Sequence, residues 1–485
     1  MVESTLARTA PLRLLADQAF SRTAGAPLVG GNAVRLLKDA AENYPAWREA
    51  IGAATRTIFF ESYILADDEV GREFRDALVA KAKEGVRVYL LHDWLGSPGR
   101  IFGRFWHPLV AAGASVRAFN PPRFDSPLGW LSRDHRKSIC VDGRVAFVSG
   151  LCIARAWCGV PERGRDAWRD TGIEIRGPAV ADVEHAFAGS WEAAGSPLPP
   201  EALTDPVSIE PAGDVSLREV AGTPMTAGLM RLDQLIAAIA RQRLWLTDAY
   251  FVPVSAYVHA LCAAAQDGVD VRLLVPGASD VPLVSPLSRS GYRQLLEAGV
   301  RVFEWNGTML HAKTAVADGR WARVGSTNLN VASFIGNYEL DVAVEDARFA
   351  AAMEREYEQD LASATEIVLQ GGRRAVRPRP VVERRARPRR APSGSAGRAA
   401  AGALRLGSAM RTAITRPREL GVTDGKVLAA AAGILLALVA IGILWPRALA
   451  WPFAAIALWF AIAFVIRAWR DVRDHRAAAR AKPPS

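Results

Sequence analysis

An eight-residue pattern, His-x-Lys-x4-Asp, occurs twice in the sequence and constrains the fold more than any other feature. The copies run from His135 to Asp142 in DHRKSICVDG and from His311 to Asp318 in LHAKTAVADG. With seven His, seven Lys and 26 Asp among 485 residues, chance supplies about 0.005 copies. The pattern therefore predicts two related halves that bring these residues together.

The surrounding sequence repeats as well, which predicts an internal duplication. A strand at 57–64, a helix at 69–84 and a strand at 86–91 follow one another, and a further unit runs through 109–119. This order is typical of right-handed crossovers in a largely parallel sheet. A helix is predicted ahead of the series, over 32–54, from apolar residues at helical spacing. The series returns in the second half at 244–251, 268–274 and 295–303.

Three further stretches accompany the two patterns. Gly-Ser-Thr-Asn at 325–328 and Asn-Tyr-Glu at 337–339 follow the second copy, and Trp-Arg-Asp-Thr-Gly at 168–172 follows the first. With these stretches the paired pattern resembles the phospholipase D superfamily, and the flanking sequence over 31–346 resembles bacterial cardiolipin synthases. The resemblance implies an α/β fold of two pseudo-twofold-related sandwich halves, each a mixed sheet with helices on both faces, with one active site at their seam.

The resemblance implies phosphodiester chemistry carried by His135, Lys137, His311 and Lys313. One imidazole attacks phosphorus to form a phosphohistidine, and the other protonates the departing alkoxide and later deprotonates the acceptor. Two ammonium groups can stabilise the phosphate charge without a metal, so no cofactor or metal is expected. His135 is the preferred nucleophile by analogy with the family.

The resemblance also assigns supporting residues. Glu339 is expected to orient His311, and Asp170 is expected to orient His135, each through the second ring nitrogen. Ser326 and Asn328 are expected to hold phosphate oxygens or the His-Lys frame.

Asp142 and Asp318 complete the two patterns and are grouped with the catalytic residues on that ground. For both acids we favour a structural role, in holding the turns after the motif strands, over direct catalysis.

The first half departs from the family where hydrogen-bonding residues are expected. It reads Ser-Gly-Leu-Cys at 149–152, where the second half reads Gly-Ser-Thr-Asn. Asn-Val-Ala-Ser-Phe at 330–334 also stands where the synthases read Asp-Pro-Arg-Ser-Phe. These departures leave open which molecule accepts the phosphatidyl group and how the active-site residues are arranged in detail. The four cysteines show neither metal-ligand spacing nor a disulfide framework, which indicates buried, reduced thiols.

Charge divides the chain at about residue 370. Residues 371–485 hold 22 Lys and Arg against five Asp and Glu, a balance of +17, and residues 1–370 hold 38 against 45, a balance of −7. Enzymes that act on nucleic acid usually carry their basic excess on the catalytic surface. The distribution therefore argues against a nucleic-acid substrate, although the basic tail leaves nucleic-acid binding as an alternative to lipid binding.

The C-terminal part predicts a membrane anchor. Residues 371–426 are rich in Arg, Pro, Ala and Gly, which indicates a basic, disordered linker. Two uncharged apolar runs of 19 residues follow at 427–445 and 448–466, and each covers about 28 Å as a helix. Neither run has a polar face, which favours a transmembrane hairpin over a helical pair in a soluble core.

Basic residues flank the hairpin on both sides, and 467–485 forms a basic tail. The positive-inside tendency then places both flanks and the catalytic region on the cytoplasmic side of the inner membrane. The first 20 residues lack the pattern of a secretory signal.

The halves are predicted at 1–200 and 214–370, with a Pro-rich joint at 196–213. The first half carries ten extra residues within 120–131. This apolar loop either dips into a bilayer surface or packs on its own domain. Its candidate membrane anchors are Phe124, Leu128, Trp130 and Leu131.

The resemblance, together with the predicted anchor, implies a membrane-anchored phosphatidyltransferase that makes cardiolipin. Its substrate is expected to be phosphatidylglycerol, with phosphatidylethanolamine as a further candidate. A phospholipase D that delivers the phosphatidyl group to water would use the same residues. A nucleic-acid phosphodiesterase and a non-enzymatic membrane scaffold are the remaining alternatives.

Overall fold

The structure is a computed structural model of the chain. It describes residues 18–97, 104–122, 131–160, 162, 164–281, 284–370 and 373–376, and isolated positions between 436 and 469. The chain forms two compact units, Met1–Phe119 with Arg133–Thr415, and Asn120–Ser132 with Arg416–Ser485. The elements named below belong to the first unit.

The strands of the described residues form one sheet. They are β1 (Val29–Lys38), β2 (Thr57–Ser62), β3 (Arg87–Asp93), β4 (Ser115–Phe119), β5 (Lys137–Val141), β6 (Val145–Ser149), β7 (Thr171–Arg176), β8 (Val215–Gly222), β9 (Arg243–Thr247), β10 (Asp270–Pro276), β11 (Arg301–Trp305), β12 (Thr314–Ala317), β13 (Trp321–Gly325), β14 (Glu339–Glu345), β15 (Ala364–Gln370) and β16 (Arg373–Val376).

Helices connect and cover these strands. They are α1 (Asp39–Gly52), α2 (Glu69–Lys83), α3 (His107–Ala111), α4 (Arg155–Cys158), α5 (Val180–Ala193), α6 (Gly228–Ile239), α7 (Ser255–Gln266), α8 (Val284–Ser290), α9 (Tyr292–Glu297) and α10 (Ala347–Ala362). Helical residues 18–24 precede β1, and a single π-helical turn spans Ala332–Gly336.

The strand order displays the duplication directly. The first half runs β1-β7-β6-β5-β2-β3-β4, and the second runs β8-β14-β13-β12-β9-β10-β11. Strands β1 and β8 pair antiparallel, so the two half-sheets join edge to edge. The predicted duplication is confirmed.

Each half-sheet is mixed, as the family resemblance implies, and the largely parallel sheet expected from the order of the elements is wrong. Only β2-β3-β4 and β9-β10-β11 pair parallel, while the strands from β5 to β7 and from β12 to β14 pair antiparallel with their neighbours. Crossover helices connect only the first strands of each half. Tight turns at Gly143 (φ 68°) and Gly319 (φ 62°) then reverse the chain after each motif strand, because glycine adopts positive φ without strain.

Residues 32–38 belong to strand β1 and do not begin a helix as predicted. Strand β1 pairs with β7 on one side and with β8 on the other, and α1 starts only at Asp39. A strand that joins two half-sheets gains backbone hydrogen bonds on both edges. This tertiary pairing outweighs the helical spacing of the apolar side chains.

Three large buried apolar clusters and one small cluster lie within the described residues. The central cluster draws on both halves and includes Phe187 of α5 and Tyr357 of α10. A second cluster packs α1 and α2 on the outer face of the first half, and a third packs α6 and α7 on the second half. Each half thus has helices on both faces, and one apolar core crosses the seam.

The predicted C-terminal anchor falls almost entirely outside the described residues. Within the part of the chain that the structure describes, no helix is long and apolar enough to cross a membrane. Strand β16 pairs with β15 at 373–376, so the first residues of the predicted disordered linker extend the sheet. Residues 123–130 of the apolar loop also lie outside the description.

Candidate active site

His135 is held at the seam by the other half of the molecule. It stands two residues before β5, and its backbone N–H donates to Tyr338 O at 2.9 Å. Tyr338 N–H in turn donates to Arg133 O at 2.8 Å, and Asp134 and Tyr338 form an isolated parallel bridge. The approach to the first motif is therefore paired with the start of β14 in the second half.

His311 is held by the first half in the corresponding way. Its backbone N–H donates to Arg169 O at 2.7 Å, and Arg169 N–H donates to Met309 O at 2.9 Å. Arg169 and Leu310 form the corresponding parallel bridge. The approach to the second motif is paired with the residues that precede β7 in the first half.

These bridges fix which acid meets which imidazole. His135 Nδ1 lies 2.8 Å from Glu339 Oε2, and His311 Nδ1 lies 2.7 Å from Asp170 Oδ2. The expected pairing of Glu339 with His311 and of Asp170 with His135 is wrong. The reason is topological, because each motif segment crosses the seam and lies against the strand start of the opposite half.

Burial sets the charge state of both imidazoles. It lowers the pKa of His135 to about 4, although Glu339 opposes this effect. Burial and then Lys313 lower the pKa of His311 to about 4, with Asp170 opposing. At neutral pH each ring is uncharged, so Nδ1–H can donate to the carboxylate and leave the Nε2 lone pair available.

Both carboxylates stay ionised. Burial alone would raise the pKa of Asp170, but His311, its hydrogen bond and Lys313 outweigh burial, and the net pKa is lowered. The pKa of Glu339 is likewise lowered against burial by His135 and Lys137. An ionised carboxylate at Nδ1 fixes the tautomer and the orientation of each ring.

The two lysines lie beside the imidazoles. Lys137 Nζ donates to His135 O, and Lys313 Nζ donates to His311 O. Lys313 Nζ also lies 3.2 Å from His311 Nε2. Burial lowers the pKa of Lys313 to about 8, with Asp170 opposing and Lys137 adding to the shift. Because each lysine acts on the pKa of both histidines, the four motif side chains share one electrostatic site.

Ser326 and Asn328 lie beside this frame. Ser326 Oγ donates to Glu339 Oε2 at 2.6 Å and accepts from Leu340 N at 2.9 Å. Asn328 is buried, and its Oδ1 has no hydrogen-bond partner among the described residues. Ser326 therefore steadies the acid of His135, and Asn328 retains a free acceptor within the buried frame.

Asp142 and Asp318 hold turns at the far ends of the motif strands. Asp142 accepts from the backbone N–H groups of residues 55–57 at 2.8 Å each, and Asp318 accepts from those of residues 241–243 at 2.8 to 2.9 Å. Both acids have positive φ, 57° and 51°. This geometry agrees with the favoured structural role and not with the catalytic grouping.

The first half lacks the serine and asparagine of the second. Gly150 follows His135 by 15 residues, as Ser326 follows His311, so Gly150 holds the serine position and Cys152 holds the asparagine position. A Cβ on Gly150 would lie 2.2 Å from Asp170 Oδ1. The close approach of the Asp170 carboxylate therefore excludes a side chain at Gly150.

Aromatic side chains around the imidazoles were missed by the sequence reasoning. Ring centroids of Trp157, Trp168 and Tyr250 lie 5.2, 5.7 and 5.7 Å from that of His311, and Tyr63 lies 5.0 Å from His135. Only Trp168 carried a signal, since it stands in the Trp-Arg-Asp stretch. The other three lie in segments whose approach to the site depends on the folded topology.

Two buried arginines tie the halves together next to the site. Arg136 donates to Glu339 O and Gly222 O of the second half and to Ala186 O of the first. Arg169 forms ion pairs across the seam with Glu356 and Asp360 of the second half, and a further ion pair with Asp39 of its own half. Sequence reasoning assigns neither arginine a role beyond its place in the motif stretches.

Within the described ranges, no group of three or more His, Cys, Asp or Glu side chains is arranged to hold a metal ion. The arrangement offers two oriented, neutral imidazoles and two ammonium groups. A nucleophile and a proton carrier close to two cations can transfer a phosphoryl group between oxygens through a covalent intermediate.

Known proteins are similar to this chain in sequence. The profile of a family described as "Cardiolipin synthase, PLD-like domain" matches residues 47–158 and 234–361. A cardiolipin synthase of Halalkalibacterium halodurans is 32% identical over 354 residues, which cover 71% of this chain and 69% of the relative. Cardiolipin synthase A of Pseudomonas aeruginosa strain LESB58 is 34% identical over 367 residues, covering 74% and 73%.

A solved structure shares the fold. The crystal structure of a phosphatidylserine synthase from Haemophilus influenzae matches with a TM-score of 0.58 and 17% sequence identity, covering 72% of this chain and 91% of that one. At this identity the likeness concerns the α/β fold alone.

Proposed function

The chain belongs to the cardiolipin synthase family of phospholipase D-like proteins, and from that premise we propose that it is a phosphatidyltransferase that makes cardiolipin. The observation that carries the proposal is the crossed pairing of His135 with Glu339 and of His311 with Asp170. This pairing gives one site two oriented imidazoles, which a two-step transfer through a covalent intermediate requires.

The first step moves a phosphatidyl group to the protein. Nε2 of one motif histidine attacks the phosphorus of a phospholipid, the P–N bond forms, and the P–O bond to the headgroup breaks. Binding of the anionic phosphodiester favours the imidazolium form of the other histidine, which then donates its Nε2 proton to the departing alkoxide and becomes neutral. Lys137 and Lys313 stabilise the charge that grows on the nonbridging oxygens.

The second step returns the group to a lipid. A hydroxyl of the acceptor headgroup loses its proton to the second histidine, and its oxygen attacks phosphorus as the P–N bond breaks. With phosphatidylglycerol as donor and acceptor, the products are cardiolipin and glycerol. Phosphatidylethanolamine is the other lipid to examine as a substrate. No cofactor takes part in either step.

The enzyme is proposed to work at the cytoplasmic face of the inner membrane. The apolar runs at 427–445 and 448–466 would anchor it as a transmembrane hairpin, and the basic linker would tether the catalytic unit to anionic lipid. The charge of −7 over residues 1–370 supports a lipid substrate over nucleic acid, because nothing in that balance attracts a polyanion.

The test is mass-spectrometric lipid analysis after the purified full-length protein is incubated with phosphatidylglycerol vesicles, with and without phosphatidylethanolamine. We expect cardiolipin and released glycerol. Phosphatidic acid without cardiolipin would mean transfer to water and would overturn the synthase assignment. The control is His135→Ala/His311→Ala, whose retention of activity would remove the catalytic centre from this site.

A further inference from the structure

The two acids of the site are held by different donors. In one pair, Glu339 Oε2 accepts from His135 Nδ1 at 2.8 Å and from Ser326 Oγ at 2.6 Å. In the other, Asp170 Oδ2 accepts from His311 Nδ1 at 2.7 Å and from Trp157 Nε1 at 2.9 Å. In both pairs, the carboxylate oxygen that faces the imidazole therefore accepts one further hydrogen bond from an uncharged group.

The position of Gly150 explains why the donors differ. Gly150 occupies the place that corresponds to Ser326, but a Cβ there would lie 2.2 Å from Asp170 Oδ1. A serine hydroxyl cannot reach Asp170 from this position without a clash. The donor must come from another segment, and the indole of Trp157, seven residues further on, supplies it.

Trp157 is fixed well enough to orient a carboxylate. It lies in the short helix α4 and is 2% exposed. Its ring centroid lies 4.7 Å from that of Trp168 and 5.2 Å from that of His311, edge to face with the imidazole. Because indole N–H is a donor only, it stabilises the ionised form of Asp170, which accepts from Trp157 and His311 together.

We propose that Trp157 is a positioning residue of the active site, whose indole N–H replaces the missing serine hydroxyl of the first half and acts on His311 through Asp170. The proposal rests on the proposed phosphatidyl transfer for its kinetic consequences. It explains how the first half can lose its Gly-Ser-x-Asn residues and still orient a histidine.

The test removes the N–H and keeps the ring. Trp157 is replaced by 3-(3-benzothienyl)alanine, in which sulfur takes the place of the N–H, and separately by Trp157→Phe. A hydrogen bond to a charged acceptor supports an expected fall in kcat of about ten- to a hundred-fold with little change in KM. The matched control is Trp321→Phe, since Trp321 is a buried indole whose N–H has no partner among the described residues.

A second measurement does not depend on lipid turnover. The titration of each histidine is followed by NMR in protein labelled with ¹⁵N-histidine. Without the indole donor, Asp170 carries more charge toward His311, so the pKa of His311 is expected to rise while that of His135 stays unchanged. Ser326→Ala is expected to give the reverse pattern.

The outcomes separate the two proposals. If no lipid is transferred by the wild-type protein but the His311 titration moves in the benzothienyl variant, the proposed function fails and the role of Trp157 stands. If the benzothienyl variant retains wild-type kcat and the His311 titration is unchanged, Trp157 only fills space, and the inference is overturned.

Discussion

Glu339, the first residue of β14, binds Nδ1 of His135, which lies 204 positions earlier in the chain and in the opposite half. Asp170 binds Nδ1 of His311 in the same crossed manner, over 141 positions. Each half therefore supplies the imidazole of one pair and the carboxylate of the other.

The crossed pairing predicts a selective response to loss of either acid. Glu339→Gln is expected to lower kcat by about 10⁴, the order seen when an acid that orients a catalytic histidine becomes an amide. By ¹⁵N NMR, this change should perturb the ring nitrogens of His135 and spare those of His311, and Asp170→Asn should do the opposite. If Glu339→Gln moved only the His311 signals, the crossed arrangement would be wrong.

The lowered pKa of Lys313 predicts that activity falls at basic pH. Because burial lowers its pKa to about 8, its ammonium charge is lost above that pH, and kcat/KM is expected to fall there. Lys313→Arg should remove this limb from the pH profile, since guanidinium stays protonated. The variant should also be slower at neutral pH, because the two groups differ in shape. A limb that is unchanged in Lys313→Arg would mean that another group titrates.

The buried imidazoles predict acid sensitivity of the fold. The unfolded histidine has a pKa near 6.5 and the folded value is about 4 for His135 and His311. Between these values the unfolded state binds more protons, so stability is present above pH 6.5 and is lost as the pH falls toward 4. The melting temperature of His135→Gln should depend less on pH in this window. The control is His259→Gln at an exposed position, which should behave as the wild type.

Gly150 predicts that restoring the serine of the second half is harmful. Gly150→Ser places a Cβ where Asp170 Oδ1 already lies, so the carboxylate must shift away from His311, and kcat is expected to fall by at least about ten-fold. Gly189→Ala on α5, where an added Cβ has nothing within 4 Å, should leave kcat unchanged. Activity equal to wild type in Gly150→Ser would show that Asp170 tolerates displacement.

Arg169 predicts a large loss of stability. It is buried with three acids, Asp39, Glu356 and Asp360, and Arg169→Ala leaves these charges uncompensated at a cost of about 3 to 5 kcal/mol. Urea unfolding should detect this directly. Arg348→Ala, which breaks an exposed pair with Asp214, is expected to change stability by at most about 1 kcal/mol.

The sequence predicted which residues belong to the site, but it did not predict which of them contact one another. The two motifs and the duplication were readable because side-chain type and spacing repeat along the chain. The pairing of acids with histidines was not, because the parallel bridges at Tyr338 and Arg169 join segments that no local pattern connects. Strand β1 was mistaken for a helix for a similar reason, since its partners β7 and β8 lie far away in sequence.

Gly150 is a second example of a contact that the sequence alone does not reveal. From the sequence, loss of the serine only made the first half incomplete. The structure adds the reason, which is that Asp170 Oδ1 lies too close for a side chain at Gly150. It also adds the indole of Trp157, which reaches the other oxygen of this carboxylate, Oδ2, from α4. Neither contact follows from spacing, because both depend on how Asp170 is placed by the strand that follows it.

The crossed pairs also bear on how such a protein can change over generations. A single half carries one imidazole and one acid that do not serve each other, so the smallest unit able to do the chemistry is a pair of halves. In a symmetric dimer of identical halves, every substitution occurs in both halves. When both halves are encoded in one gene, each half can change independently of the other. The two halves already differ in this way, since a serine binds the acid on one side and a tryptophan binds it on the other.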